Sequence, residues 1–153
     1  MKIVSGVAAG LAAMSMLLAV PASAETMGQS EKLRRLDIML MVTGLRCRTG
    51  ADNFQADYGR FTTNHIAELN AASRSLKADM ARKYGPAGAN RALDRFSTTM
   101  ANDYGNGHPW LSCGELKMVA RNLAAARGVA PLVAAAEQLL AEEGSSQVTW
   151  ARR

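Results

Sequence analysis

Two cysteines, Cys47 and Cys113, constrain the fold of this chain more than any other feature. They are the only cysteines among its 153 residues, and most of the foldable sequence lies between them. A bridge between them would close a loop of about 65 residues and stabilise the fold by roughly 4 kcal/mol. The alternative is that Cys113 is a reactive thiolate stabilised by a helix N-terminus. Exported chains with two cysteines usually pair them, so we predict the disulfide.

The residues around Cys113 predict how a helix begins. Ser112 and Glu115 form the S-x-x-E pattern of a capping box, in which each side chain accepts a hydrogen bond from the other residue's backbone amide. Pro109 disfavours a helical backbone at His108, so the chain before the cap should be extended. Cys113 then falls at the first helical position.

The first 24 residues have the pattern of an export signal. Lys2 precedes a long apolar run, and an A-x-A cleavage site ends at Ala24. The alternative is a retained anchor, since the run is just long enough to span a membrane. We predict cleavage, a periplasmic or secreted location, and no stable membrane span afterwards. Residues 25–143 should form one helical bundle domain, followed by a flexible C-terminal tail at 144–153.

The charge of the predicted mature chain is modest. The full chain carries 18 basic and 13 acidic residues, a net charge of +5, and removal of Lys2 makes it +4. No run of lysine or arginine marks a nucleic-acid surface, so we expect no nucleic-acid partner. Four arginines cluster in and just after the first predicted helix: Arg34, Arg35, Arg46 and Arg48. Arg46 and Arg48 should complement the C-terminal dipole of that helix, and the alternative is that the cluster meets an anionic partner.

The first predicted helix contains a run that is apolar on every face, and the second carries the clearest periodicity in the chain. Ser30 should cap a helix that runs towards Cys47, and its apolar stretch 38–42 predicts a central, surrounded element. Asp52 or Asn53 should cap a second helix of about thirty residues that ends at Gly85. Its apolar stripe has spacings of three and four: Phe54, Tyr58, Phe61, His65, Leu69, Ala72, Leu76, Met80 and Tyr84.

Three further helices complete the predicted fold. They should span about 87–104 and 113–127, with a last, alanine-rich helix opened by Pro131. β-Branched residues are scarce and no segment alternates with period two, so we predict no strand. The fold class is therefore all-α: a small bundle of four or five helices joined by one disulfide. The nine methionines are predicted core filler, with an adaptable binding surface as the alternative.

Two histidines are the main candidates for chemistry. His65 lies on the apolar stripe, either as a core-edge histidine bonded to one neighbour or as a base or pH sensor whose protonation loosens the bundle. His108 lies in a loop near Tyr104 and Trp110, where it contributes either loop packing or a ligand contact. We predict no metal site and no cofactor, because no ligand spacing, phosphate loop or nucleophile motif occurs. No residue is predicted to be catalytic.

Three segments carry a resemblance to known proteins: Leu45-Arg46-Cys47-Arg48, the stretch from Phe54 to Phe61, and His108-Pro109-Trp110-Leu111-Ser112-Cys113. They resemble a family of small exported, disulfide-containing helical proteins of Gram-negative bacteria that has no settled function, over about Leu33 to Leu123. A looser likeness in size, export and a cysteine at a helix start is to periplasmic acid-stress chaperones of the HdeA type. That likeness implies no site residues.

These features favour a non-enzymatic protein that binds another periplasmic or envelope protein, as a stress chaperone or as an inhibitor. The chaperone version predicts that acid exposes apolar helix faces while the disulfide keeps the helices tethered. The alternative is a small periplasmic enzyme or ligand carrier that uses the loop around His108. It predicts a pocket lined by that loop and a His108→Ala protein that folds but loses its ligand.

Overall fold

The computed structural model describes residues 22–150, and the side chains of residues 28–140. The described chain forms six helices: α1 (Ala22–Arg46), α2 (Gln55–Asn64), α3 (Ile66–Tyr84), α4 (Pro86–Asp103), α5 (Cys113–Ala125) and α6 (Val129–Trp150). It contains a short 3₁₀ turn at Cys47–Thr49 and no strand. The predicted all-α bundle with one disulfide is confirmed, although the described residues form six helices rather than the four or five predicted. The predicted signal peptide and tail lie outside the residues with described side chains and stay predictions.

Helix α1 is the central element, since it packs against all five other helices. Leu36, Met39 and Leu40 are fully buried, as the apolar run predicts, whereas Met41 is 39% exposed. The buried Thr43 hydroxyl donates to the Met39 carbonyl at 2.7 Å, so a polar side chain is satisfied inside this core. The predicted cap at Ser30 is wrong. Ser30 is buried within α1, which begins at Ala22.

The predicted second helix is two helices, because the backbone leaves helical geometry at His65. His65 has φ −115° and ψ 22°, and its ring reaches the Leu123 carbonyl on α5. The predicted capping by Asp52 or Asn53 is also wrong. The N-cap position of α2 is Phe54, and the Asn53 side chain instead accepts a hydrogen bond from the Gln55 amide at 3.0 Å.

Helices α3 and α4 form an antiparallel hairpin with a one-residue connection. Gly85 adopts φ 74°, a left-handed conformation that glycine adopts without steric cost, and Pro86 opens α4.

Helix α2 packs mainly on α5, and α6 packs on α1, where Lys32 and Glu137 form an exposed ion pair at 2.7 Å. Helix α6 begins at Val129 rather than at Pro131. None of the described helices is long and apolar enough to cross a membrane.

Candidate functional site

The disulfide and the capping box fix one end of the bundle. Cys47 follows α1 and Cys113 opens α5, with their Cα atoms 5.8 Å apart. Ser112 Oγ accepts from the Glu115 amide at 3.3 Å, and Glu115 Oε2 accepts from the Ser112 amide at 2.8 Å. Hydrogen bonds from the backbone amide and the hydroxyl of Ser112 hold the pKa of Glu115 below its usual range. The predicted disulfide and the predicted capping box are therefore confirmed, and both are structural features of the fold.

The loop between α4 and α5 brings together the three candidates predicted there. Tyr104 is fully buried and His108 is 9% exposed. The His108 ring lies between the rings of Tyr104 and Trp110, with centroid distances of 5.9 and 4.4 Å. Its Nδ1 accepts a hydrogen bond from the Leu111 amide at 3.3 Å. These residues form a packed aromatic cluster, and none of them lines the three cavities described below.

The four arginines of the first predicted helix do not form one basic patch. Arg35 and Arg46 are separated by about 16 Å along α1, given a rise of 1.5 Å per residue. Arg46 and Arg48 line an open depression of about 410 Å³ beside the disulfide. Gly107, at φ 105°, allows the chain to approach Arg46, since a Cβ there would lie 3.2 Å from Arg46 Nε. Arg34 and Arg35 lie away from this depression, near the middle of α1.

A half-buried polar network joins α1 to α2 and α4. Asp37 accepts hydrogen bonds from the Tyr58 hydroxyl at 2.9 Å and from Arg34 at 3.2 Å, and Arg34 also donates to Ser97 Oγ at 3.3 Å. Burial raises the pKa of Asp37 despite these donors. Burial, followed by the Asp37 carboxylate, raises the pKa of Tyr58, which therefore remains a donor. The network connects three helices and has no opening to a described cavity.

His65 is a buried histidine with one hydrogen bond, as the structural interpretation predicts. It is 1% exposed, and its Nε2 lies 2.8 Å from the Leu123 carbonyl, an acceptor that requires Nε2 to carry the proton. Nδ1 has no hydrogen-bond partner among the described residues and lies 4.0 Å from Glu68 Oε1. His65 and Glu68 line a cavity of about 380 Å³ at the end of α5. Among the described residues, no three side chains of metal-ligating type converge here or elsewhere.

Asp57 on α2 is a buried carboxylate with arginine partners. Its side chain is 5% exposed and accepts from Arg60 on the same helix and from Arg121 Nε on α5, the latter at 3.5 Å. Burial alone would raise the pKa of Asp57, but the hydrogen bonds and positive charges of the two arginines outweigh it and lower the pKa. The pair with Arg121 joins α2 to α5.

Asp57→Asn is expected to lower the free energy of unfolding by about 1–2 kcal/mol at pH 7, because both arginines lose a charged acceptor. The lowered pKa sets the pH dependence. The ionised carboxylate stabilises the fold fully above about pH 5, where aspartate of the unfolded chain is almost completely ionised, and this contribution is lost as the pH falls through the lower folded pKa. The difference between the two proteins should therefore shrink towards zero once the pH lies below the lowered folded pKa.

Urea unfolding of wild type and variant across this pH range measures that difference. Asp94→Asn, at an exposed position of α4 with no ion pair among the described residues, is the matched control and should change little. Asp37 acts with the opposite sign, since its raised pKa favours the folded state at low pH and this contribution is lost as the pH rises through the folded pKa. A wild-type advantage that persists unchanged in acid would contradict the assignment to Asp57.

The largest of the three cavities is an open groove of about 560 Å³ between α1, α3 and α4. We call it the arginine groove. Three arginines, two methionines and two aromatic rings dominate its lining, which consists of Arg35, Met80, Tyr84, Gly88, Arg91, Ala92, Arg95, Phe96, Thr99, Met100 and Asp103. Met100 is 2% exposed and Phe96 is half-buried, whereas Tyr84 at the rim is 51% exposed. The groove therefore has an apolar interior and a cationic border.

The arginines of the groove differ in how they are held. Arg35 pairs with Glu31 at 2.8 Å, and its guanidinium carbon lies 5.3 Å from the Phe96 ring centroid. Arg91 and Arg95 are exposed, one helical turn apart, and make no ion pair or hydrogen bond with any described side chain. Like charges at this spacing repel each other. The groove thus presents, beside apolar surface, two cations that no side chain in the described range 28–140 neutralises.

No family model, curated protein or solved structure matches this chain. The resemblance of the segments around Cys47 and Cys113 to exported helical proteins therefore stays a prediction.

The groove is the feature that the sequence predictions did not single out. Met80 and Tyr84 stand at the end of the predicted apolar stripe, which placed them in the core. Arg91 and Arg95 are four residues apart, a spacing that places both on one face of a helix. That spacing is the one indication of a shared basic face that the sequence offers. The packing of the α3–α4 hairpin is needed to show that these arginines border the exposed end of the stripe.

Proposed function

We propose that this protein is a non-enzymatic binding protein of the cell envelope or the exterior, and that it holds a segment of another protein in the arginine groove. The observation that carries the proposal is a pair of exposed arginines, Arg91 and Arg95, which no described side chain pairs with, beside the exposed ring of Tyr84 and the apolar interior. Arginine, tyrosine and methionine are enriched in protein interfaces, and arginine and tyrosine are frequent hot spots there.

The proposed location rests on the predicted export signal and on the disulfide. Disulfides form and persist in oxidising compartments such as the periplasm, and cytosolic thiols are kept reduced. The Cys47–Cys113 bridge is compatible with an exported protein. It also suits the proposed binding role, because a rigid groove loses less conformational entropy when it binds.

The rival proposal, an enzyme or ligand carrier that uses His108, draws less support from the geometry. His108 and Tyr104 are buried and pack with Trp110, and Nδ1 of His108 already accepts a hydrogen bond from the Leu111 amide. A ligand contact there would require the loop to open. The arginine groove is open as it stands.

Site-specific photocrosslinking in periplasmic extract tests the proposal. A photoreactive amino acid at Thr99, an exposed position in the groove, should give a defined protein adduct. The same amino acid at Arg74, an exposed position of α3 outside the groove, should give none. Excess unlabelled protein should compete with adduct formation. Equal labelling from both positions, or no adduct at all, would contradict binding through the groove.

Two further measurements distinguish an inhibitor from a chaperone, and the groove from the rival site at His108. One partner captured at neutral pH indicates an inhibitor or another dedicated binder, whereas many partners captured only in acid indicate a chaperone. A folded His108→Ala variant should retain the Thr99 adduct, since His108 lies outside the groove. Loss of the adduct in that variant, with unchanged circular dichroism, would favour the rival site.

A further inference from the structure

We infer that the occupant of the arginine groove is an acidic amphipathic helix of another protein, an inference that rests on the proposed function. One face of α4 supplies the length of the groove, from Gly88 to Asp103. At 1.5 Å per residue this face is about 22 Å long, which is four helical turns. Helix α3 supplies Met80 and Tyr84 at one end. The groove is thus an elongated trough that runs beside a helix.

The charges of the arginine groove favour an acidic occupant. Arg91 and Arg95 lie one turn apart with no anionic partner among the described side chains. Lys83 is not part of the lining, but it adds a positive charge at the Tyr84 end, with Nζ 5.1 Å from the Tyr84 ring centroid. Carboxylates one turn apart on a bound helix would match the arginine pair and relieve its repulsion. Asp103 is the acidic member of the lining and lies at the opposite end. The bound helix should therefore carry its carboxylates against Arg91 and Arg95, away from Asp103.

The shape of the arginine groove favours a helix over other anionic partners. Sites for small molecules enclose most of the ligand surface, whereas this groove is open along one side. A bilayer surface is flat on this scale and would not reach Phe96 and Met100 in the interior. An amphipathic helix can insert its apolar face between two helices, and flexible methionines such as Met80 and Met100 adapt to its side chains.

Three fluorescein-labelled synthetic peptides of about 16 residues, each long enough to fill four turns, provide the test. One carries leucines at i, i+3, i+4 and i+7 flanked by glutamates one turn apart. The second replaces each glutamate with lysine, and the third scrambles the acidic sequence. Fluorescence anisotropy at about 0.15 M salt, where exposed charges beyond about 8 Å are screened, measures binding. The acidic amphipathic peptide should bind at least about tenfold more tightly than the other two.

A pair of charge-reversal variants localises the effect. Arg91→Glu/Arg95→Glu should weaken the acidic peptide at least about tenfold and strengthen the lysine peptide. Arg74→Glu/Lys77→Glu changes the net charge of the protein equally, at exposed positions of α3 outside the groove, and should leave both affinities within about twofold. Circular dichroism verifies that both variants are folded.

The outcomes distinguish this inference from the proposed function. If the peptides bind equally, or if both double variants weaken binding equally, the inference of an acidic helix is wrong. The proposed function, protein binding in the groove, would still be supported by a defined adduct from Thr99. Vesicles of anionic phospholipid provide the remaining comparison. If they bind in a manner that depends on Arg91 and Arg95 and the peptides do not bind, the groove meets a membrane, and the proposed function fails as well.

Discussion

Replacing Cys47 and Cys113 by alanine is expected to lower the free energy of unfolding by about 4 kcal/mol and Tm by about 15 °C. The bridge spans a sequence separation of 66 residues, so its removal restores the conformational freedom of a long unfolded loop. Thermal unfolding followed by circular dichroism measures both quantities.

Reduced wild-type protein is the control for this prediction. It lacks the covalent bond but keeps both sulfur atoms, so its Tm should fall close to that of the double alanine variant. A Tm that falls in the variant and not in the reduced protein would mean that packing of the cysteine side chains, rather than the cross-link, stabilises the fold. A loss below about 1 kcal/mol in both would contradict the loop-closure argument.

Phe54→Ala is expected to lower the free energy of unfolding by about 3–5 kcal/mol, since it removes a fully buried ring. The ring packs against Gly44 of α1, where a Cβ would lie 3.3 Å from Phe54 Cε2. Gly44→Ala alone should therefore have a net cost of about 1 kcal/mol, because overpacking against the buried ring outweighs the gain in helix propensity. In the Phe54→Ala background the added methyl group enters vacated space, and Gly44→Ala should be neutral or stabilising.

Gly59→Ala is the matched control for this pair. Gly59 lies inside α2, and a Cβ there would meet nothing within 4 Å. The substitution should stabilise the protein by about 0.5–1 kcal/mol through helix propensity alone. Urea unfolding of the single and double variants gives the coupling between Gly44 and Phe54. Additive effects at those two positions would show that the close approach does not govern packing there.

The features that sequence analysis predicted correctly depend on residues close together in the chain or on a cross-link. Ser112 and Glu115 are three residues apart, so their pattern alone fixes the cap. The disulfide followed from there being only two cysteines in a chain with a predicted export signal. The stripe from Phe54 to Leu76 also faces the interior as predicted, although its helix is interrupted.

The features that sequence analysis did not predict depend on contacts between distant residues. The break at His65 coincides with a hydrogen bond to Leu123, 58 residues later, and no local pattern indicates it. Likewise, the exposure of Tyr84, Arg91 and Arg95 follows from how α3, α4 and α1 pack. A repeat of three and four residues identifies the apolar face of a helix, but it does not show where a neighbouring helix stops covering that face.

The position of the disulfide also determines what backbone cleavage does to this protein. Helices α2, α3 and α4 lie entirely between Cys47 and Cys113, and with them most of the arginine groove. A protease that cuts the turn at Gly85 leaves two fragments that remain one covalent molecule, since the bridge spans the cut. Both walls of the groove then stay tethered at high effective concentration, and the nicked protein separates into its pieces only after reduction.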